Sequence, residues 1–194
     1  MTDLKILVTG YARVEHKAIV ATPNTVLLKS KGKHVLVDPG SNRDLLLEAL
    51  DKEALSVSDI DIVFVTHYHL DHTLNVGLFP EAELYDGDGL YRGDTIIEYS
   101  DVIPGTSLQV LFTPGHTYEH WSLIARVDER LIGIAGDVFW WWDHEEQESD
   151  HNGLIRHIDE SALDMDELMR SRQILFDFAD YIIPGHGKPF EVLK

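Results

Sequence analysis

Short apolar runs, broken by glycine, proline and acidic turns, dominate the hydrophobic pattern of this chain, and runs of that length suit strands better than helices. Residues 4–10 close on Gly10 and predict a first strand. Residues 24–29 and 34–38 are rich in Val and Leu, and Ser30-Lys31-Gly32-Lys33 between them predicts a hairpin. Asp38-Pro39-Gly40 then stops the second strand and leaves Ser41 or Asn42 to cap a leucine-rich helix over 45–55. A strand is expected at 61–66, one or two helical turns within 73–79 before Pro80, and another strand at 82–85. Residues 86–94 read as a Gly/Asp-rich loop.

Strand-like runs recur at 108–112, 121–125 and 130–135, the last two joined by the tight turn Asp128-Glu129. Residues 140–160 carry no clean periodicity, so an irregular excursion is expected there. Asp164 with Glu167 makes a capping signal. Met165, Leu168, Met169, Arg172, Leu175, Phe176 and Ala179 then repeat at helical spacing and predict a helix over 164–179. A last strand at 181–183 runs into Pro184-Gly185-His186-Gly187. Strands followed by a helix occur in both halves, compatible with two packed sheets flanked by helices.

At 194 residues the expectation is one domain over 1–194, with a composition (44% hydrophobic, 26% charged) that fits a folded globule. Cysteine is absent, which excludes disulfides, thiolate ligands and a catalytic thiol, so a metal site must use His, Asp or Glu. A net charge of -18 disfavours nucleic acid as a partner and favours a small-molecule substrate. No apolar stretch approaches a membrane span and no leader is evident, so a cytoplasmic location is the default and no membrane partner is expected. A homo-oligomer stays open.

The chemistry concentrates in His67-Tyr68-His69-Leu70-Asp71-His72, directly after the predicted strand at 61–66. In extended chain His67 and His69 project to one side and can share an ion, while a turn at Leu70-Asp71 lets Asp71 and His72 address a neighbouring position. Three further candidates, His116, Asp137 and His186, each follow an apolar strand-like run at its carboxyl end. Strand ends that lie side by side converge.

His-x-His-x-Asp-His at 67–72, with Thr113-Pro114-Gly115-His116, Ala135-Gly136-Asp137 and Pro184-Gly185-His186-Gly187, resembles the metallo-β-lactamase fold superfamily over almost the whole chain. The resemblance implies an α/β fold, the four-layer αββα sandwich. It also implies His67, His69 and His116 on one metal, Asp71, His72 and His186 on a second, and Asp137 bridging. Gly77-Leu78-Phe79-Pro80, Gly136-Asp137-Val138-Phe139, and Ser171-Arg172-Gln173 with Pro189-Phe190 are similar to the metallo-β-lactamase-domain-containing protein 1 family. Asp137 follows the pattern of the glyoxalase II and nuclease branches rather than of true β-lactamases. Only five residues follow Pro189, so the helical substrate domain of glyoxalase II is not expected, and no long insertion supplies a nuclease cap or basic arm.

Two divalent ions about 3.5–4 Å apart can share a water and lower its pKa, giving a nucleophilic hydroxide. The ligand set suits zinc, with iron or manganese as alternatives. Asp71 is expected to orient the hydroxide or return a proton to the leaving group. Asp38 is a candidate to fix a ligating imidazole, although Asp-Pro-Gly is also an ordinary turn. His120 reads as a substrate contact or a structural hydrogen bond, Tyr118 as an oxyanion donor, and Trp140 and His144 as parts of a lid. The leading expectation is a binuclear hydrolase of a small ester, thioester or lactone. A phosphodiesterase or ribonuclease of the same fold, an iron enzyme resembling persulfide dioxygenases, and a non-catalytic metal-binding module are the alternatives.

Overall fold

The computed structural model describes residues 2–193. In chain order the elements are β1 (Thr2–Val8), β2 (Tyr11–Glu15), β3 (Ala18–Thr22), β4 (Thr25–Ser30), β5 (Lys33–Val37), α1 (Arg43–Lys52), β6 (Ile62–Phe64), α2 (Leu70–Thr73), β7 (Glu83–Tyr85), β8 (Leu90–Arg92) and β9 (Thr95–Ile97). The second half adds β10 (Gln109–Phe112), β11 (Trp121–Val127), β12 (Arg130–Gly136), α3 (His151–Arg156), α4 (Met165–Phe178), β13 (Tyr181–Pro184) and β14 (Phe190–Glu191). Among the described residues, one sheet has the order β1-β4-β5-β6-β7-β8-β9 and a second has β10-β11-β12-β13-β14. β6 pairs parallel with β5 and β7, and β13 pairs parallel with β12. The parallel strands therefore end at the same edge of each sheet.

Both sheets are covered on both faces, which is why their central strands read as continuous apolar runs rather than alternating ones. Val26, Leu28, Val35, Ile62 and Phe64 of the first sheet meet Leu123, Ala125, Ile134 and Ile183 of the second in a shared core. On the outer face of the first sheet, Leu27, Leu36 and Val63 pack against Leu46 and Leu50 of α1. On the outer face of the second, Ile124, Ala135 and Ile182 pack against Leu168, Leu175 and Phe176 of α4. Helix, sheet, sheet and helix make the four-layer αββα sandwich. Asn42 caps α1 through its side chain, and Asp164 caps α4 by accepting from Glu167 N. No helix among the described residues is long and apolar enough to cross a membrane.

Three segments differ from the sequence reading. The expected loop at 86–94 contains β8 and leads into β9. Asp86 accepts from the N–H groups of Asp88 and Gly89, so its Gly/Asp content marks a hairpin turn. The β2–β3 hairpin has no sequence signal because its turn residues, His16 (φ 47°) and Lys17 (φ 69°), occupy the left-handed region without glycine or asparagine. The irregular 140–160 stretch holds α3, too short to show a period.

Candidate metal centre

Strand ends from both sheets supply the site. His67 and His69 lie just beyond β6, Asp71 and His72 in α2, His116 between β10 and β11, Asp137 directly after β12, and His186 after β13. His69 Nδ1 stands 3.0 Å from His116 Nε2. Asp137 Oδ2 lies 3.4 Å from His116 Nε2 and 3.8 Å from His67 Nε2. Its other oxygen, Oδ1, lies 3.3 Å from His72 Nε2 and 3.7 Å from His186 Nε2. Asp71 Oδ2 stands 3.1 Å from His186 Nε2. Two donor groups result: His67, His69, His116 and Asp137 in one, Asp71, His72 and His186 in the other, each with its donor atoms within 4.8 Å of one another. The two oxygens of Asp137 thus face the two groups separately.

The chemistry of these groups fits a cation site. His67 Nε2, His72 Nε2 and Asp137 Oδ1 are buried and make no hydrogen bond. Orphaned buried polar atoms are costly and rare, and three of them converge here. The donors are all imidazole nitrogens and carboxylate oxygens, a set that fits divalent transition metals. Gly185 makes room for the arrangement: a Cβ there would stand 1.8 Å from Asp137 Oδ1.

Four imidazoles are pinned through Nδ1, which leaves Nε2 turned to the centre. His67 Nδ1 is 3.1 Å from Thr66 Oγ1, His72 Nδ1 2.8 Å from Asp38 Oδ2, His116 Nδ1 2.6 Å from Asp159 Oδ2, and His186 Nδ1 3.0 Å from Tyr11 O. Such bracing fixes ring orientation and tautomer. Asp38 accepts in addition from Thr66 N (2.8 Å) and Thr66 Oγ1 (2.7 Å), and does so from the left-handed region at φ 47°. That strained backbone position adjoins the site.

The electrostatics follow from burial and facing charges. Burial, reinforced by the facing His72, pushes the His67 pKa well below the ordinary value. Burial acts the same way on His72, but the carboxylates of Asp137 and Asp38 outweigh it and raise that pKa well above the ordinary value. Asp137 is held well below the usual range because the imidazoles of His72 and His186 overcome its burial. Burial lowers the pKa of His116, but Asp159 and Asp137 together outweigh it and raise it above the ordinary value. Asp71 is lowered: His186 and His72 prevail over its burial.

The remaining candidates separate. His120 is fully buried, its Nε2 accepting from Asp137 N at 3.2 Å and its Nδ1 3.1 Å from Thr113 Oγ1, so it holds backbone and does not reach substrate space. Trp140 lines the cavity over the donors, with its ring 6.4 Å from that of His116 and 6.2 Å from that of His186. Tyr118 is 63% exposed and outside the cavity lining, which argues against an oxyanion role. His144 is also outside the lining; its exposed ring stacks 6.4 Å from Trp142. Sequence reasoning missed Asp159, Thr66 and the Tyr11 carbonyl. Thr66, adjoining the histidine cluster, was the one with a usable signal.

The sandwich and its paired His/Asp groups define a class, and the chain belongs to the metallo-beta-lactamase superfamily, whose family model matches residues 19–188. Within it the chain is similar to Metallo-beta-lactamase domain-containing protein 1. The mouse protein is 36% identical over 82% of this chain and 62% of its own length; the Xenopus laevis protein is 32% identical over 99% and 82%. The chain therefore spans about three-fifths of the mouse relative. Among solved structures, a metallo-beta-lactamase from Thermotoga maritima superposes with a TM-score of 0.71 at 21% identity, covering 98% of this chain and 99% of that one. A dizinc quorum-quenching lactonase, AidC, gives 0.59 at 18% identity over 87% and 73%. These likenesses at low identity concern the fold.

Proposed function

We propose that this chain is a binuclear metallohydrolase acting on a small ester, thioester or lactone. One observation carries the reading: the two oxygens of Asp137 each face a separate donor group, and buried donor atoms of both groups make no hydrogen bond. His67, His69 and His116 would hold one ion and Asp71, His72 and His186 the other, with Asp137 shared between them. Two divalent ions so held, with zinc as the proposed metal, would supply a water of lowered pKa and would polarise the scissile carbonyl.

The chain's own residues do the rest. The Nδ1 partners of four imidazoles keep the donors oriented before substrate arrives. Asp71, kept anionic by its neighbours and lining the cavity, accepts a proton first and returns it to the leaving group afterwards. Trp140 excludes water above the donors. The absence of Lys and Arg from the cavity lining among the described residues, with a net charge of -18, supports a carbonyl substrate over a phosphodiester.

The test pairs metal content with turnover. Protein loaded with zinc should hold about two ions per chain and hydrolyse members of an ester, thioester and lactone panel; His72→Ala should lose both an ion and the activity. Binding of a single ion, or cleavage of RNA in preference to the panel, would overturn the reading. So would oxygen uptake with iron and no hydrolysis with zinc.

A further inference from the structure

The cavity over the donor groups has a volume of about 470 Å³, and its wall away from them is mainly apolar, with Ser41 and Ser161 as its polar members. Ile19 of β3, Leu70 and Leu74 around α2, and Trp140 and Trp142 form that wall, with Ala12 and Ala21 of the hairpin behind them. Three of these are large hydrophobics left open to solvent: Ile19 is 71% exposed, Leu70 72% and Leu74 63%. Scattered exposed leucines need no explanation, but several on one cavity rim mark a surface that something apolar covers. Leu70 and Leu74 stand one helical turn apart, and so present a continuous strip toward the hairpin. His69, Asp71, His116, Asp137 and His186 sit at the other end of the same cavity. Among the described residues, no lysine, arginine or amide side chain lines it.

A substrate must therefore present a reacting centre to the donors and an uncharged apolar group to the rim. Beyond the donor groups, a phosphorylated or polyanionic tail would find apolar side chains and the hydroxyls of Ser41 and Ser161, with no lysine or arginine among the described residues of the lining to pair with it. A bare two-carbon acyl group would leave Ile19 and Leu74 uncovered. An alkyl chain of medium length can run from the donors along the wall to these residues.

We propose, resting on the hydrolase reading above, that the substrate is an acyl ester or thioester with an apolar chain of medium length, and that Ile19, Leu74 and Trp140 set the chain-length preference. Hydrolysis conserves atoms simply: water adds across the acyl carbon–oxygen or carbon–sulfur bond, giving a carboxylate, an alcohol or thiol, and a proton. Each methylene covered by the rim strengthens binding by roughly twofold to fourfold.

The experiment measures kcat/KM of the zinc-loaded protein on p-nitrophenyl acetate, butyrate, hexanoate and octanoate. The expected result is a rise of at least about tenfold from acetate to hexanoate. In Ile19→Asn and Leu74→Gln the hexanoate-to-acetate ratio, read within each variant, should fall several-fold. Both positions are largely exposed, so the substitutions take nothing from the core. A second readout needs no metal: octanamide, but not acetamide, should change the tryptophan fluorescence of the metal-free protein, and Ile19→Asn should weaken that titration. Turnover with a flat chain-length series, or equal ratios in wild type and both variants, overturns this inference and leaves the hydrolase reading standing. No turnover of any ester, thioester or lactone by protein holding two ions overturns the hydrolase reading; octanamide without effect on fluorescence then overturns the apolar site as well.

Discussion

Nδ1 of His116 lies 2.6 Å from Oδ2 of Asp159, a buried pair that joins residues 43 positions apart. Asp159 spends its second oxygen on the N–H of Ser161 at 2.8 Å. An asparagine there has one acceptor for two donors. Asp159→Asn is therefore expected to weaken metal binding at the group containing His116 by about 10- to 100-fold, with Glu160→Gln next to it, exposed, as the neutral control. Competition with a chromophoric chelator measures both; equal affinities would remove Asp159 from the site.

Asp38 does the same for His72 under a heavier load. Three donors converge on it, from Thr66 N, Thr66 Oγ1 and His72 Nδ1. Asp38→Asn tolerates the left-handed backbone but turns an amide N–H toward one of those donors. Asp38→Ala loses every acceptor and adds strain at φ 47°, at a cost of roughly 2 kcal/mol or more. Denaturant melts of the metal-free proteins should rank wild type above Asn and Asn above Ala. An alanine variant as stable as wild type would contradict this account.

Much of this was legible in the chain because the site is built at strand ends. Apolar runs predict the strands, and His67, His69, Asp71, His72, His116, Asp137 and His186 follow such runs directly. The braces are another matter. Asp38 was readable as a strand-end acid, whereas Asp159 lies among several acids in a segment without periodicity, which long-range backbone bonds from Leu163 N to His116 O and Asp164 N to Gly115 O bring against His116. Tyr118 and His144 lie outside the cavity lining because loop geometry decides where they point. After Gly115, whose N–H bonds the Thr117 carbonyl, the chain turns Tyr118 outward.

Arg172 shows how that segment is anchored. Helical spacing places it on the inner face of α4, and it is fully buried there, donating from Nε to Val138 O at 2.9 Å and from Nη1 to Ile155 O and His157 O at 3.1 and 2.6 Å. Burial lowers its pKa to about 10, so it remains a cation at neutral pH. It ties the residue after Asp137 to the stretch that leads into Asp159. Arg172→Met would leave three carbonyls without this donor and should destabilise by about 3 kcal/mol or more. Arg172→Lys should recover only part, since one ammonium lacks the planar fork that reaches both segments. Equilibrium unfolding tests this ranking, and a methionine variant of unchanged stability would refute it.

Metal affinity should depend on pH with a definite sign. In the metal-free protein the neighbouring carboxylates raise the pKa of His72 and His116 above the ordinary 6.5, against the effect of burial. A group with a raised folded-state pKa contributes stability that is complete below the unfolded value and is lost as pH rises through the folded one. Metal binding needs both imidazoles neutral, so at and somewhat above pH 6.5 it must displace their protons. Affinity is expected to rise by up to about tenfold per pH unit for each proton displaced, then level off above the folded pKa values. The thermal stabilisation given by saturating zinc should grow in parallel as pH rises from the ordinary imidazole value of 6.5 towards the raised folded-state values. His67, held neutral by burial, adds nothing to that slope. Asp38→Asn removes one of the charges that raise His72, so it should shift the rise to lower pH; a slope unchanged in that variant would show that another group governs it.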